Sequence, residues 1–137
     1  MNVINLKLQP NLESMYSIKL SETLLSYHYT QETVFSVALA LEEIFLNIVK
    51  YSECTSDIHL TVSLFTDNIK IGLADNGKKF NPLDYPAPDF KDIYKHNLSG
   101  LGIHLAINMV KDMCYYRVGV YNVLIMLFAA GNCRLVA

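Results

Sequence analysis

The sequence predicts a single α/β (α+β) domain over residues 1–137, a two-layer sandwich in which helices cover one face of a mixed, mostly antiparallel sheet. Three observations predict this fold class. The chain has 137 residues, the usual size of one domain, and 52% of them are hydrophobic. Some apolar segments repeat at helical spacing, and others alternate with the period of a strand. Their order along the chain is β-α-α-β-β-loop-α-β-β.

The first half of the chain contains one predicted strand and two predicted helices. Residues Asn2–Leu8 alternate in polarity and predict a short strand. Residues 8–27 predict a helix with Pro10 near its start, where the missing N–H does no harm. Thr30 can cap a second helix over Thr33–Lys50, a segment without proline or glycine that has one broad apolar face.

A hairpin and a long loop follow. Residues 57–65 and 68–75 alternate with a period of two on either side of a short polar turn, which predicts an antiparallel hairpin. Residues 76–100 contain three of the four prolines and show no sustained periodicity. They predict a long loop or lid, with one short helical turn near Asp89–Tyr94.

The last predicted elements are a helix and a closing hairpin. Residues Gly100–Met113 have helical spacing, and Cys114–Phe128 alternate around a turn near Gly119–Asn122. The apolar terminal strands and residues 128–137 could supply the patch of a homodimer. One buried strand in a monomer explains them as well.

Composition excludes several kinds of partner. The formal charge is −2 and there is no basic run, so direct nucleic-acid binding is not expected. Three widely spaced cysteines, Cys54, Cys114 and Cys133, predict neither a disulfide framework nor a zinc site, and they favour a cytoplasmic protein. The most apolar run, Val123–Ala130, is far shorter than the roughly 18 residues of a membrane span, so no membrane association is expected.

A narrow polar stripe lies on the second helix. Glu43, Asn47 and Lys50 fall close together on the side opposite Leu41. They are either a surface group on an amphipathic helix or part of a cleft. A carboxylate can deprotonate an attacking hydroxyl, and an amide oxygen is a hard ligand suited to Mg²⁺. Phosphoryl transfer uses both.

An acidic residue ends the strand over residues 68–75. The strand alternation places Asp75 on the inward face, where an unpaired charge is expensive. Two interpretations are open. The carboxylate can accept from its own backbone in an Asp-Asn-Gly turn. It can instead accept from the exocyclic amino group of adenine, with Gly77 letting a ring approach the backbone.

Two glycines open the last predicted helix. In Ser99-Gly100-Leu101-Gly102, free N–H groups and the helix dipole favour an anion, and glycines allow a phosphate to come close. An ordinary flexible helix entry is the alternative interpretation.

In combination, a helix with E-x-x-x-N, a strand ending in D-x-G and a helix opened by G-x-G resemble the ATP-binding superfamily of DNA gyrase, the 90-kDa heat-shock chaperone, sensor histidine kinases and mismatch-repair ATPases. The stretches "LALEEIFLNIVKYS", "DNGKKFNPLD" and "SGLGIHLAINMVKDMCY" are most similar to the stand-alone anti-sigma-factor serine kinases of bacterial partner-switching systems. The resemblance implies a Bergerat-type ATP-binding fold.

The resemblance also implies roles for individual residues. Glu43 would be the catalytic base and Asn47 the Mg²⁺ ligand, with Lys50 as a cationic helper near the phosphates. Asp75 would bind the adenine amino group of ATP, with Gly77 beside it.

Gly100, Leu101 and Gly102 would form the second glycine box under the phosphates, and residues 78–99 would be the lid. In place of the histidine-small-aromatic sequence of many members, the chain has Lys50-Tyr51-Ser52.

The implied function is that of an ATP-dependent protein serine/threonine kinase. It would transfer the γ-phosphate to a small anti-anti-sigma-type antagonist and sequester a sigma factor or another regulator. The alternative is a non-catalytic interaction module that keeps the fold and regulates by binding alone.

Overall fold

The computed structural model describes residues 2–9, 13–54, 56–84 and 101–130, although not the side chains of 13–18 and 101. The elements follow the predicted order: β1 (Asn2–Leu8), α1 (Glu13–Ser26), α2 (Gln31–Asn47), β2 (Ile58–Leu64), β3 (Asn68–Asp75), α3 (Leu101–Met109), β4 (Asp112–Val118) and β5 (Tyr121–Ala129). The short helical turn expected near Asp89–Tyr94 lies outside the described residues.

The five described strands form one sheet in the order β1-β2-β3-β5-β4, and all four neighbouring pairs are antiparallel. One face of the sheet is buried because alternate residues of β2, β3 and β5 are apolar and lie in register, as in the row formed by Leu60, Leu73 and Leu124. The helices cover this face through the apolar stripe of α2, in which Phe45 is fully buried. The predicted two-layer α/β fold is confirmed.

The second helix begins at Gln31 rather than Thr33, and it also ends earlier than predicted. Thr30 is its cap, as expected, and its Oγ1 accepts a hydrogen bond from the Thr33 N–H at 3.1 Å. The α-helix ends at Asn47 rather than Lys50 and continues as a π-helical turn over Ile48–Ser52. The Ser52 hydroxyl donates to the Ile48 carbonyl at 2.6 Å, and Glu53 in the left-handed conformation (φ 54°) ends the turn.

Two boundaries near the end of the chain were predicted wrongly. The last helix ends at Met109 rather than Met113, because Lys111 N–H donates to the Leu127 carbonyl at 2.7 Å and the β4–β5 ladder begins at Asp112. The closing turn is Gly119-Val120, which leaves Asn122 within β5. Over the described parts of the chain, no helix is long and apolar enough to cross a membrane.

Candidate functional site

Glu43 and Gly102 are brought into direct contact by the packing of α3 on α2. A Cβ atom added to Gly102 would overlap the Glu43 carboxylate and lie 2.9 Å from its Cδ. Glycine at this position therefore leaves room for Glu43 at the first turn of α3. Glu43 of the E-x-x-x-N motif and Gly102 of the G-x-G motif, 59 positions apart in the chain, therefore meet at one place.

The D-x-G loop packs against the π-helical turn that follows α2. Lys78 N–H donates to the Ser52 carbonyl at 2.8 Å, and a Cβ on Gly77 would lie 2.5 Å from the same oxygen. The missing side chain of Gly77 thus makes room for the backbone of Ser52, a structural reason for this glycine that does not depend on a ligand. All three motifs converge at the C-terminal end of α2.

Gly77→Ala is expected to lower the free energy of unfolding by about 1–3 kcal/mol, because the new methyl group would collide with backbone that cannot move aside freely. Gly72→Ala is the matched control, since its nearest neighbour, Thr61 Cβ, lies 4.0 Å away. Urea unfolding of both variants measures the difference. Equal midpoints would show that the Gly77 loop does not need its close approach to Ser52.

Asp75 is buried at the end of β3, with 2% of its surface exposed. Its Oδ2 accepts a hydrogen bond from the Gly77 N–H at 2.9 Å and another from the Asn122 amide at 3.1 Å. The Asp-Asn-Gly turn is therefore present. Among the described residues no hydrogen bond reaches Oδ1, so this oxygen is the acceptor left for a ligand. The Asp-Asn-Gly turn is therefore compatible with the interpretation that Asp75 binds the amino group of adenine.

Asn122, buried at 4% exposure, was missed as a site residue because the sequence prediction placed it in the closing turn. Its amide nitrogen donates to Asp75 and to the Lys78 carbonyl at 2.7 Å, and its Oδ1 accepts from the Phe80 N–H at 3.1 Å and the Tyr115 hydroxyl at 2.5 Å. The side chain therefore holds β3, β4 and the residues after Gly77 together. The strand period could have found it, since Asn122 continues the inward face of Leu124.

Phe80, Pro82 and Tyr115 close the space in front of Asp75 and leave a cavity of about 10 Å³. The Phe80 ring stacks on Tyr51 with a centroid distance of 5.2 Å. A cavity of this size holds about one water molecule. An adenine ring would therefore require these side chains to move apart.

Burial raises the pKa of Tyr115 above its ordinary value of about 10, although the nearby Arg117 guanidinium opposes the shift. The folded protein therefore holds the phenol proton more tightly than the unfolded chain does. The resulting stabilisation is complete below the unfolded pKa and is lost as the pH rises through the folded pKa.

Tyr115→Phe should lower the free energy of unfolding by about 1 kcal/mol at neutral pH, because the hydrogen bond to Asn122 is removed. The variant should also lose less stability than the wild type above about pH 10. Urea unfolding from about pH 8 to about pH 11 checks both effects. Parallel pH profiles for the two proteins would contradict the raised pKa.

Asn47 lies one turn after Glu43 and is half-buried. Its amide nitrogen donates to the Glu43 carbonyl at 2.6 Å, which leaves Oδ1 available to a hard cation. Lys50 is exposed, with Nζ 5.1 Å from the centre of the Tyr51 ring. Arg117, which the sequence did not single out, donates to the Gly77 carbonyl at 2.9 Å and ties the edge strand to the D-x-G loop.

Some predicted site features lie outside the described residues or are described in part. Gly100 is outside them, and Leu101 is described as the first residue of α3 without its side chain. The predicted lid is described only to residue 84, where Pro82–Asp84 form a 3₁₀ turn.

The part of the chain that the structure describes contains no cluster of three or more His, Cys, Asp or Glu side chains able to hold a metal. Mg²⁺ typically binds one or two protein oxygens together with substrate phosphates. The Oδ1 atom of Asn47 fits this incomplete ligand set.

Comparison with known proteins gives a family match and several structural likenesses. Residues 16–128 match the model described as the histidine kinase-like ATPase domain. The fold resembles the crystal structure of the RsbU and RsbW domains of Rv1364c from Mycobacterium tuberculosis, with a TM-score of 0.68 and 14% identity over 100% of this chain and 35% of that one. The chain thus spans about a third of that protein's length.

Two histidine kinases are also similar in fold. The Acinetobacter baumannii histidine kinase AdeS has a TM-score of 0.53 and 14% identity over 96% of this chain and 70% of that one. The histidine kinase domain of the Erythrobacter litoralis EL346 blue-light activated kinase has a TM-score of 0.51 and 16% identity over 72% and 45%. No curated protein sequence matches significantly. These likenesses confirm the predicted fold class.

Proposed function

Because the chain belongs to the family of histidine kinase-like ATPase domains, we propose that it is an ATP-dependent protein kinase that phosphorylates a serine or threonine of a small antagonist protein. The observation that carries this proposal is the contact of Glu43 with Gly102. It places a carboxylate beside the first turn of α3, whose N–H groups favour phosphate. A base next to a phosphate cradle is the arrangement that phosphoryl transfer requires.

Each motif has a role in this proposal. Asp75 Oδ1 accepts from the adenine amino group, while Gly77 and Asn122 hold the carboxylate in place through Oδ2. Asn47 Oδ1 is a ligand for Mg²⁺, which when bound neutralises charge on the ATP phosphates. Glu43 takes the proton from the acceptor hydroxyl.

The regulatory role follows from the resemblance of the three motifs to those of anti-sigma-factor serine kinases. In the proposed cycle the chain binds a sigma factor or another regulator in the cytoplasm. The antagonist competes for the chain until its serine or threonine is phosphorylated.

A second candidate function is a non-catalytic module that regulates by binding alone. The observation that favours it is the cavity of about 10 Å³ in front of Asp75, which holds no adenine ring unless Phe80 and Tyr115 move.

A transfer assay distinguishes the two candidates. The purified chain is incubated with Mg-ATP labelled at the γ-phosphate and with each small protein encoded beside its gene. We expect acid-stable label on a serine or threonine, lost when that residue of the partner is replaced by alanine. Acid-labile label would indicate histidine as the acceptor. A stable complex without any transfer would refute the kinase and support the binding module.

A further inference from the structure

The helix α2 is apolar on two opposite sides. The side that includes Val37 and Ile44 is buried in the core. At about 3.6 residues per turn, Phe35, Leu39 and Leu46 lie within about 40° of one another on the opposite side. Phe35 is 65% exposed, and Leu46 is exposed as well. A surface helix normally has charged and polar residues on the side that faces away from the core. The composition of α2 therefore indicates that this side is covered in the working protein.

The two neighbouring helices extend this apolar surface. Both α1 and α3 pack along α2, and Gly102 in the first turn of α3 contacts Glu43. Leu105 is exposed on α3, one turn after Gly102. Leu25 is exposed at the end of α1, just before the connection into α2. The apolar residues that form this surface, which we call the helix-layer patch, are Leu25, Phe35, Leu39, Leu46 and Leu105. Contiguous exposed apolar surface of this kind marks sites of protein interaction.

Two exposed acids flank the patch where α1 meets α2. Glu22 lies on α1, and Glu32 lies on α2 one turn before Phe35. Neither has an ion pair within the described parts of the chain. Lys19 is the exposed base of α1, but helical spacing places it about 120° around the helix from Leu25. Acids beside an apolar surface favour a partner with positive charges, and they disfavour a second copy that brings the same acids.

We propose that the helix-layer patch binds an amphipathic helix of a partner protein, with apolar residues on one side and basic residues near Glu22 and Glu32. The stripe from Phe35 to Leu46 is about 17 Å long, which is about three helical turns. A helix placed on it would use apolar anchors at positions such as i, i+3 or i+4, and i+7. Lys50 lies beyond Leu46, so the basic residues of the partner helix belong at its other end.

This surface begins away from the nucleotide site. Phe35 precedes Glu43 by eight residues, about 12 Å along the axis of α2. The inference deepens the proposed function, on which it rests for the presence of a regulator, but it requires neither ATP binding nor phosphate transfer. A contact made by a single helix belongs to the small interfaces of transient signalling complexes. We therefore expect weak, exchangeable binding in the micromolar range.

Fluorescence anisotropy without nucleotide tests the apolar part of the patch. The probe is a labelled peptide of about 18 residues, long enough to form a helix, with leucines on one side and lysines on the other. We expect Phe35→Ser to weaken its binding by at least about tenfold, and Leu25→Ser to weaken it several-fold. Val118→Ser is the matched control, because Val118 is 61% exposed on β4 in the sheet layer. Circular dichroism of each variant confirms that it folds.

Charge reversal tests the role of the acids. Glu32→Lys should weaken binding of the lysine peptide several-fold and strengthen binding of a matched peptide with glutamates in place of the lysines. Asp67→Lys is the control, since it makes the same change in net charge at an exposed residue of the turn between β2 and β3. Asp67→Lys should leave the affinity for both peptides nearly unchanged.

Several results would overturn the proposal. They are no binding of the lysine peptide by the wild type, equal losses in Phe35→Ser and Val118→Ser, or equal losses in Glu32→Lys and Asp67→Lys. Sedimentation velocity adds a further test. A wild-type dimer that dissociates in Phe35→Ser would assign the patch to a second copy of the chain instead. A chain that binds the peptide as expected but transfers no phosphate would refute the kinase and leave the patch in place.

Discussion

Replacing Glu43 with glutamine is expected to slow phosphate transfer by about 10²- to 10⁴-fold and to leave the affinity for Mg-ATP nearly unchanged. Glutamine has almost the same shape as glutamate, so it can keep the contact with Gly102. It cannot take the proton of an acceptor hydroxyl. A fall in the transfer rate without a fall in nucleotide binding would therefore identify Glu43 as the catalytic base.

The neighbouring acid provides the control for this prediction. Glu42 lies one position earlier on α2 and is exposed on the solvent side, so Glu42→Gln makes the same chemical change away from the site. Single-turnover transfer to the antagonist and calorimetric binding of Mg-ATP are measured for both variants. Equal transfer rates in Glu43→Gln and Glu42→Gln would exclude Glu43 as the base.

Asn122→Asp should cause the largest loss of stability, about 3–5 kcal/mol. The change removes the two amide hydrogen bonds to Asp75 and to the Lys78 carbonyl, and it places a second carboxylate beside the buried Asp75. Two adjacent carboxylates in a buried site cannot both ionise without a large cost. The oxygen that accepts from Phe80 and Tyr115 is retained, so the effect isolates the lost donors.

Asn5→Asp is a matched control on β1, where the side chain is exposed and its Oδ1 accepts from the Thr61 hydroxyl at 3.1 Å. An aspartate keeps that acceptor, so we expect a change within about 0.5 kcal/mol. Urea unfolding at neutral pH compares the two variants. The loss of stability caused by Asn122→Asp should be smaller at lower pH, because protonation of one of the two carboxyl groups restores a hydrogen-bond donor. Equal stability of the two variants would show that Asn122 does not hold the loop.

The period of the strands predicted the inward face of Asp75 correctly, and the same reasoning would have found Asn122. The prediction instead placed Asn122 in the closing turn with Gly119, because glycine and asparagine are both common turn residues. The turn contains only Gly119 and Val120, because the hydrogen-bonded ladder between β3 and β5 extends as far as the Asp75–Asn122 pair. Long-range pairing decided a boundary that local residue preferences left open.

The roles of the two glycines could not be derived from the sequence alone. Their flexibility was visible, but the neighbours that they accommodate come from distant parts of the chain: Ser52 at Gly77 and Glu43 at Gly102. The π-helical turn after Asn47 was not predicted either, and its last carbonyl, that of Ser52, accepts a hydrogen bond from the distant Lys78 N–H. The helix pattern did predict which face of α2 carries Glu43 and Asn47.

Asp75→Asn probes the nucleotide site with little disturbance of the fold. Gly77 and Asn122 both donate to Oδ2, so the carbonyl oxygen of the new asparagine should occupy that position. Its NH₂ group then takes the position of Oδ1 and would face the amino group of adenine. The asparagine NH₂ and the adenine amino group are both donors, so neither would find an acceptor. An unpaired donor in a buried site costs binding free energy.

The most direct measurement is a calorimetric titration of Mg-ATP into the wild type and into Asp75→Asn, with Mg-ITP as the matched nucleotide. We expect the wild type to bind Mg-ATP, and the variant to bind it about 10- to 100-fold more weakly. The wild type should also bind Mg-ITP more weakly, because a carbonyl replaces the amino group that Asp75 would accept from. No binding of Mg-ATP by the wild type, or equal binding by both proteins, would contradict an adenine site at Asp75.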